Sequence, residues 1–184
     1  MFKFIRQYIL HPRSVGAIAP SGKNLALKMM EPIDFKTAKV IVEYGPGTGS
    51  FTRKLICKKK DSTVLVLIEQ NKEFVKILEK EFKNVKNLFI INDSAENVSK
   101  ILQELGYKHA DYVVSGLPFI SLPKSVSVNI FNETNKILDK GLFITFQYSK
   151  VKKKFFEDYF NFHDILFVMK NVPPAYVFVL KRKK

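Results

Sequence analysis

The run Val40-Ile41-Val42-Glu43-Tyr44-Gly45-Pro46-Gly47-Thr48-Gly49 constrains this chain more than any other stretch. Three β-formers lead into an acidic residue, and glycines then recur at every second position. A buried parallel strand ends this way when its backbone must bend sharply beside a ligand, because glycine alone takes left-handed angles without steric cost. The G-x-G-x-G spacing is neither the G-x-G-x-x-G of dinucleotide folds nor the G-x-x-x-x-G-K-[ST] of phosphate-binding loops. Taken alone, such a turn is also compatible with a purely structural role.

The pattern after this turn alternates between helix and strand. Phe51 to Cys57 reads as a helix, Thr63 to Ile68 as a strand, and Lys72 to Phe82 as an amphipathic helix. Asn87 to Ile91 is a third strand, Ala95 to Leu105 a helix and Asp111 to Val114 a fourth strand. Lys124 to Leu138 is helical, Gly141 to Tyr148 a fifth strand and Val151 to Phe160 a helix. Two last strands fall near Ile165 to Met169 and Ala175 to Leu180. Five βα units with a hairpin-like ending predict an α/β fold: a doubly wound, mostly parallel, seven-stranded sheet with helices on both faces. Before it, residues 1–10 read as an amphipathic helix with Met1, Phe4, Ile5, Tyr8 and Ile9 on one face. His11-Pro12-Arg13 breaks that helix, and Ser21 is placed to cap another running to about Met30. The division expected is residues 1–30 as an N-terminal amphipathic helix and lid, and residues 31–184 as the main domain.

With 184 residues, the chain fits one such domain. The longest stretch free of charged side chains, Tyr112 to Pro123, is too short to span a bilayer. Lys3 and Arg6 interrupt the apolar start, so no secretory signal is read there. A lone Cys57, expected in the core, suits a reducing compartment. A cytoplasmic protein is the expectation, with access to the inner face of the cytoplasmic membrane. Lys and Arg number 31 against 17 Asp and Glu, a net charge of +14, so nucleic acid and anionic lipid are both candidate partners. From charge alone, a merely solvated lysine-rich surface stays open.

In an open α/β sheet the ligand lies beyond the carboxyl ends of the strands, where the strand order reverses. Glu43, Gly45, Gly47 and Gly49 stand there after the first strand, Glu69 after the second and Asp93 after the third. A carboxylate such as Glu69 can accept from both hydroxyls of a ribose, and Asp93 can accept from an adenine amino group. Ser94 and Ala95 would present backbone N–H groups to the ring. Any one of these acids is as readily a turn or cap residue. The set Glu43-x-Gly45-x-Gly47-x-Gly49 resembles the first motif of Rossmann-like, class I S-adenosylmethionine-dependent methyltransferases, which implies S-adenosylmethionine as cofactor and S-adenosylhomocysteine as product.

A closer resemblance rests on Val15-Gly16-Ala17-Ile18-Ala19-Pro20-Ser21, on Ser115-Gly116-Leu117-Pro118-Phe119-Ile120-Ser121-Leu122-Pro123 and on the closing Asn171-Val172-Pro173-Pro174-Ala175-Tyr176-Val177-Phe178-Val179-Leu180. These segments look like the bacterial phospholipid N-methyltransferase family, whose core is similar to that of the rRNA adenine dimethyltransferases. The resemblance implies methyl transfer to the amino headgroup of phosphatidylethanolamine, towards phosphatidylcholine, at a membrane surface. Base-methylating relatives typically carry Asn or Asp and a following aromatic after the fourth strand, holding and stacking a flipped base. This chain has Ser115-Gly116 there, with both also expected beside the cofactor, and its C-terminal sequence is expected to leave no room for a helical RNA domain.

Methyl transfer to an amine needs aligned reactants and a deprotonated acceptor. Tyr8, Ser115 and Tyr148 are the candidate catalytic groups, and Phe119, Tyr148 and Tyr8 the candidate faces for a methylammonium. Core packing is the competing role for each aromatic. His11, His109 and His163 show no metal-ligand spacing. The competing functions are adenine N6-methylation of RNA or DNA and non-catalytic binding of membrane or nucleic acid. The first ten residues, apolar on one side and cationic on the other, are expected to lie against an anionic membrane, with the Lys152-Lys153-Lys154-Phe155-Phe156 run as a second contact.

Overall fold

The computed structural model describes residues 19–151, 153–171 and 173–183, with side chains from residue 22. The predicted helix over residues 1–10, Tyr8 upon it, the segment through residue 18 and Lys152 lie outside the described residues. In chain order the elements are α1 (Ala19–Met30), β1 (Val40–Tyr44), α2 (Thr52–Lys58), β2 (Val64–Ile68), α3 (Lys72–Phe82) and β3 (Leu88–Ile91). A 3-10 turn (Ala95–Asn97) then leads into α4 (Val98–Glu104), β4 (Ala110–Ser115), α5 (Lys124–Ile137), β5 (Leu138–Gln147), α6 (Lys153–Glu157), β6 (Phe160–Val168) and β7 (Ala175–Arg182).

The seven strands form one sheet in the order β3-β2-β1-β4-β5-β7-β6. The first five pair in parallel, and β7 is antiparallel to both β5 and β6. The chain winds outwards from β1 to β3, then returns to lay β4 on the other side of β1. The reversal of strand order therefore lies between β1 and β4, where an open α/β sheet forms its ligand crevice.

Both faces of the sheet are covered, which is why β1 and β2 are buried at every position and read as unbroken apolar runs. On one face, Leu25, Met29 and Met30 of α1, Leu55 of α2, and Leu78 and Phe82 of α3 pack on Ile41, Leu65 and Leu67. On the other, Val98, Ile101 and Leu102 of α4, Ile130 and Phe131 of α5, and Phe156 of α6 pack on Val42, Val66, Val113 and Phe143. An aromatic cluster anchors this second layer: Phe131 stands 4.9 Å from Phe119, 5.1 Å from Phe156 and 5.3 Å from Phe160 between ring centroids.

Several boundaries differ from the sequence reading. Helix α1 begins at Ala19, so Ser21 falls inside its first turn and is not the cap. Pro20 permits this, because a proline in the first turn gives up an N–H that has no intrahelical partner. Through Leu25, Met29 and Met30, α1 packs into the core of the main body. The helix predicted over Val151 to Phe160 shrinks to Lys153–Glu157, and β6 starts at Phe160, five residues before the expected Ile165. A register shift between Phe162 and Asp164 breaks the alternation there and hides the strand from a period-two reading. Cys57, expected in the core, is exposed: α2 turns Thr52 and Leu55 inwards and leaves it on the outer side.

Candidate functional site

The carboxyl ends of β1, β2, β3 and β4 lie level with one another. Tyr44 stands beside Ile68 and Ser115, and Ile68 stands beside Ile91. The parallel ladder extends one step past the strands, with Gly45 N donating to Ile68 O at 2.9 Å and Glu69 N to Ile91 O at 3.0 Å. Register therefore brings Glu43, the glycine turn, Glu69 and Asp93 to one edge, although they are fifty residues apart in sequence.

At the end of β1 the chain needs its glycines for two distinct reasons. Gly45, Gly47 and Gly49 all take left-handed angles, at φ +62°, +56° and +85°. Gly116 meets a different constraint, close approach: its N–H donates to Tyr44 O at 2.8 Å, and a Cβ there would lie 2.8 Å from Gly45 O. The turn after β4 is thus laid directly on the turn after β1.

Glu43 is fully buried just before this turn. Its Oε2 accepts from Thr52 Oγ1 at 2.8 Å, and its buried Oε1 has no hydrogen-bond partner among the described residues. Burial pushes its carboxyl up to about 8, with the neighbouring Glu69 charge acting in the same direction and the Thr52 hydroxyl opposing it. Thr52 carries no signal of its own in sequence; its position at the start of the helix after the glycine turn is the only cue.

Glu69 closes β2 and ties the first two turns together. Its Oε2 accepts from Gly47 N at 3.0 Å and its Oε1 from Asn71 N at 2.9 Å. Each carboxylate oxygen keeps a second lone pair, so the pair of acceptors a ribose diol requires is still available. Asp93 closes β3; its Oδ1 accepts from Ser94 N at 2.6 Å and Asn97 Nδ2 at 2.8 Å. This corrects the expectation for Ser94, whose N–H turns back on Asp93 and whose Oγ caps the following 3-10 turn. Ala95 is buried against the pocket. Between these acids lies a pocket walled by Gly45, Ile68, Leu117, Leu122 and Ile130, with Glu69 and Asp93 also in its lining. Apolar walls about a flat ring, with carboxylates for hydroxyl and amino groups, fit an adenosine moiety.

The acceptor side differs more from the sequence reading. Ser115 is fully buried, and its Oγ accepts from Leu117 N at 3.1 Å, bracing the loop. A proton-transfer role is withdrawn on that ground. Phe119, expected to offer a ring face to substrate, is 1% exposed and packs edge-on against Phe143 and Phe156 at 6.0 and 5.8 Å. It is a core residue, because the loop after β4 folds back over α5. Tyr148 is exposed at the end of β5, with its ring 5.5 Å from Phe146. Thr145 and Gln147, on the same strand, escaped the sequence reading: both are buried, and Thr145 Oγ1 and Gln147 Nε2 lack hydrogen-bond partners among the described residues. Ser127 Oγ, in the first turn of α5, is in the same position. Among the described residues, no group of three or more His, Cys, Asp or Glu side chains gathers to hold a metal ion.

The fold matches that of known methyltransferases. Over 177 residues the chain is 29% identical to an ornithine lipid N-methyltransferase of Singulisphaera acidiphila, covering 95% of this chain and 92% of that protein. It is 30% identical to the ribosomal RNA small subunit methyltransferase A of a Hydrogenobaculum species, over 63% of this chain but only 42% of that enzyme. The fold superposes on N-methyltransferase NodS of Bradyrhizobium japonicum, solved with S-adenosyl-L-homocysteine, with a TM-score of 0.75 at 10% identity, covering 100% of this chain and 98% of that one. The ribosomal RNA adenine dimethylase family matches residues 22–166, from within α1 to β6 and so across every strand end described above. The chain belongs to that family and is an S-adenosylmethionine-dependent N-methyltransferase.

Proposed function

We propose that the enzyme methylates the amine of a membrane-lipid headgroup, phosphatidylethanolamine foremost, in repeated transfers towards phosphatidylcholine. The observation that carries this reading is the turn after β4. Enzymes that methylate a base need a polar group to hold its amino nitrogen and a ring to stack on it. Here Ser115 is buried with its hydroxyl on Leu117 N, and Phe119 is sealed in the core. Neither is presented to a flipped base. The extent of the likeness to the lipid enzyme, almost end to end in both chains, supports the same choice.

The reaction is an in-line displacement. S-adenosylmethionine, when bound, would supply its sulfonium methyl group to the neutral amine as the carbon–sulfur bond breaks, with S-adenosylhomocysteine as the leaving group. The ammonium formed loses a proton to water before the next transfer. Glu69, Asp93 and the glycine turn would hold the cofactor's nucleoside and so orient the rest of the molecule. Tyr148 offers an exposed aromatic face to the growing methylammonium. Tyr8, on the segment expected at the membrane interface of the cytoplasmic face, is assigned the same task.

A second reading, N6-methylation of adenine in RNA, is favoured by the family match over residues 22–166 and by the +14 charge. One experiment separates the two. The purified chain is incubated with methyl-labelled S-adenosylmethionine and, separately, vesicles containing phosphatidylethanolamine, vesicles containing ornithine lipid, or ribosomal RNA. Label in phosphatidylethanolamine is expected. Label in ornithine lipid alone keeps the lipid amine and changes the headgroup; label in RNA alone overturns the proposal.

A further inference from the structure

Among the described residues, the large apolar side chains left exposed are Leu27, Ile77, Tyr148, Val151, Phe167 and Met169. The last four fall in two short segments, which the topology brings to one place. β5 is parallel to β1, so its end at Gln147 lies on the same edge of the sheet as the glycine turn. Gln147 pairs with Tyr176, and Val168 pairs with Ala175, so the turn between β6 and β7 emerges on that edge too. The Phe167 and Tyr176 rings stand 5.0 Å apart, and Lys150 Nζ lies 4.7 Å above the Tyr176 ring. That contact joins the β5–α6 loop and the β6–β7 turn into one patch.

The patch is held in shape. Asn171 is buried and donates to Pro173 O at 2.7 Å across the turn, while Asn24 Nδ2 of α1 donates to Lys170 O at 3.1 Å. Met169 and Val151 nevertheless stay 73% and 87% exposed. Residues 148–151 and 165–176 contain Lys150 and Lys170 and no acidic residue.

We propose that this patch is a membrane-docking surface, seating Val151, Phe167 and Met169 in the interface of an anionic bilayer with Lys150 and Lys170 at headgroup level. Apolar tips ringed by lysine and free of carboxylate suit such an interface, where long cationic side chains reach up to phosphate. The two most exposed tips, Val151 and Met169, are not aromatic, which suits acyl chains more than stacked bases. The placement also has a consequence for chemistry: the patch shares its edge with the cofactor pocket, so docking by it presents the mouth of the site to the headgroup layer. The identity of the target as a bilayer rests on the lipid reading above.

The test uses the full chain and needs no methyl transfer. Partition is measured by co-sedimentation with vesicles of phosphatidylcholine containing phosphatidylglycerol, at low and high salt. The variants are Val151→Ser with Met169→Ser, which changes only well-exposed atoms, and separately Lys150→Gln with Lys170→Gln. An unchanged melting temperature and unchanged S-adenosylhomocysteine binding establish that each variant is folded. The apolar pair is expected to lower partition about ten-fold or more, from the apolar surface no longer withdrawn from water. The lysine pair is expected to flatten the salt dependence. Equal partition of the folded variants and the parent overturns the proposal, as does a parent that ignores vesicles while losing RNA affinity on the same substitutions. Lipid that becomes labelled while the variants partition normally sinks this surface and leaves the lipid reading intact. Loss of partition with no labelled lipid does the reverse.

Discussion

Replacing Glu43 by glutamine should remove a pH dependence of stability that the wild type carries near neutrality. The carboxyl is fully buried, and its value rises from 4.5 to about 8, chiefly through burial. In the unfolded chain it ionises at the ordinary value, so across the interval between the two the native state holds a proton that the unfolded state has lost. Stability then falls as pH rises: the contribution is complete below the unfolded value, declines through neutrality and is gone above the folded one. One proton sets the slope, at most about 1.4 kcal/mol per pH unit, so roughly 3 kcal/mol disappears between about pH 5.5 and about pH 7.5. That is a large part of the stability of a domain this size, which is about 5–15 kcal/mol. Urea midpoints and slopes for wild type and Glu43→Gln, at three or four pH values across that range, measure it directly. Other groups titrate in both proteins and cancel in the difference, while an amide lacking a partner at the Oε1 position adds only a constant offset of about 1–3 kcal/mol. A wild-type-minus-variant difference that does not move with pH would show that Glu43 is ionised throughout, refuting its assignment as a desolvated carboxyl.

Two further substitutions probe the edge proposed to hold the cofactor. Glu69→Ala removes the acceptor shared by Gly47 N and Asn71 N and the pair of oxygens assigned to the ribose; calorimetry with S-adenosylhomocysteine should show affinity lower by about a hundred-fold, on the scale of two charged hydrogen bonds, and unchanged affinity would move the ribose elsewhere. Gly116→Ala puts a Cβ 2.8 Å from Gly45 O, a backbone atom that cannot swing away; the variant should lose about 1–3 kcal/mol in thermal or urea unfolding, as overpacking does, with cofactor affinity falling in parallel.

Much of the fold was legible because helices on both faces of a parallel sheet leave a plain trace: unbroken apolar strands such as Val64–Ile68, read one residue longer from Thr63, and amphipathic helices such as Lys72–Phe82, read with the structure's own bounds. The glycine turn was legible for a related reason. Glycine alone takes the left-handed angles at Gly45, Gly47 and Gly49 without steric cost. Legibility failed where a residue's role depends on which way a loop folds. Phe119 and Tyr148 both follow strand ends and are both aromatic, yet one is sealed beneath α5 and the other is exposed. Thr52, Thr145 and Gln147 are ordinary polar residues whose burial comes from partners far away in the chain. The β6 strand was partly missed because a bulge interrupts its alternation.

The sequence by itself determined the alternation of elements, the glycine turn and the acids that follow each strand, since these answer to local backbone sterics and to periodic burial. Tertiary structure alone decided what those pieces do together. It set the register that brings Glu43, Glu69 and Asp93 to one edge, and it buried Glu43 deeply enough to hold a proton near neutrality. It also moved Phe119 from the acceptor side into the core and gathered Val151, Phe167 and Met169 on the same edge of the sheet. Burial and register are sums over contacts between distant segments, and no local pattern encodes them.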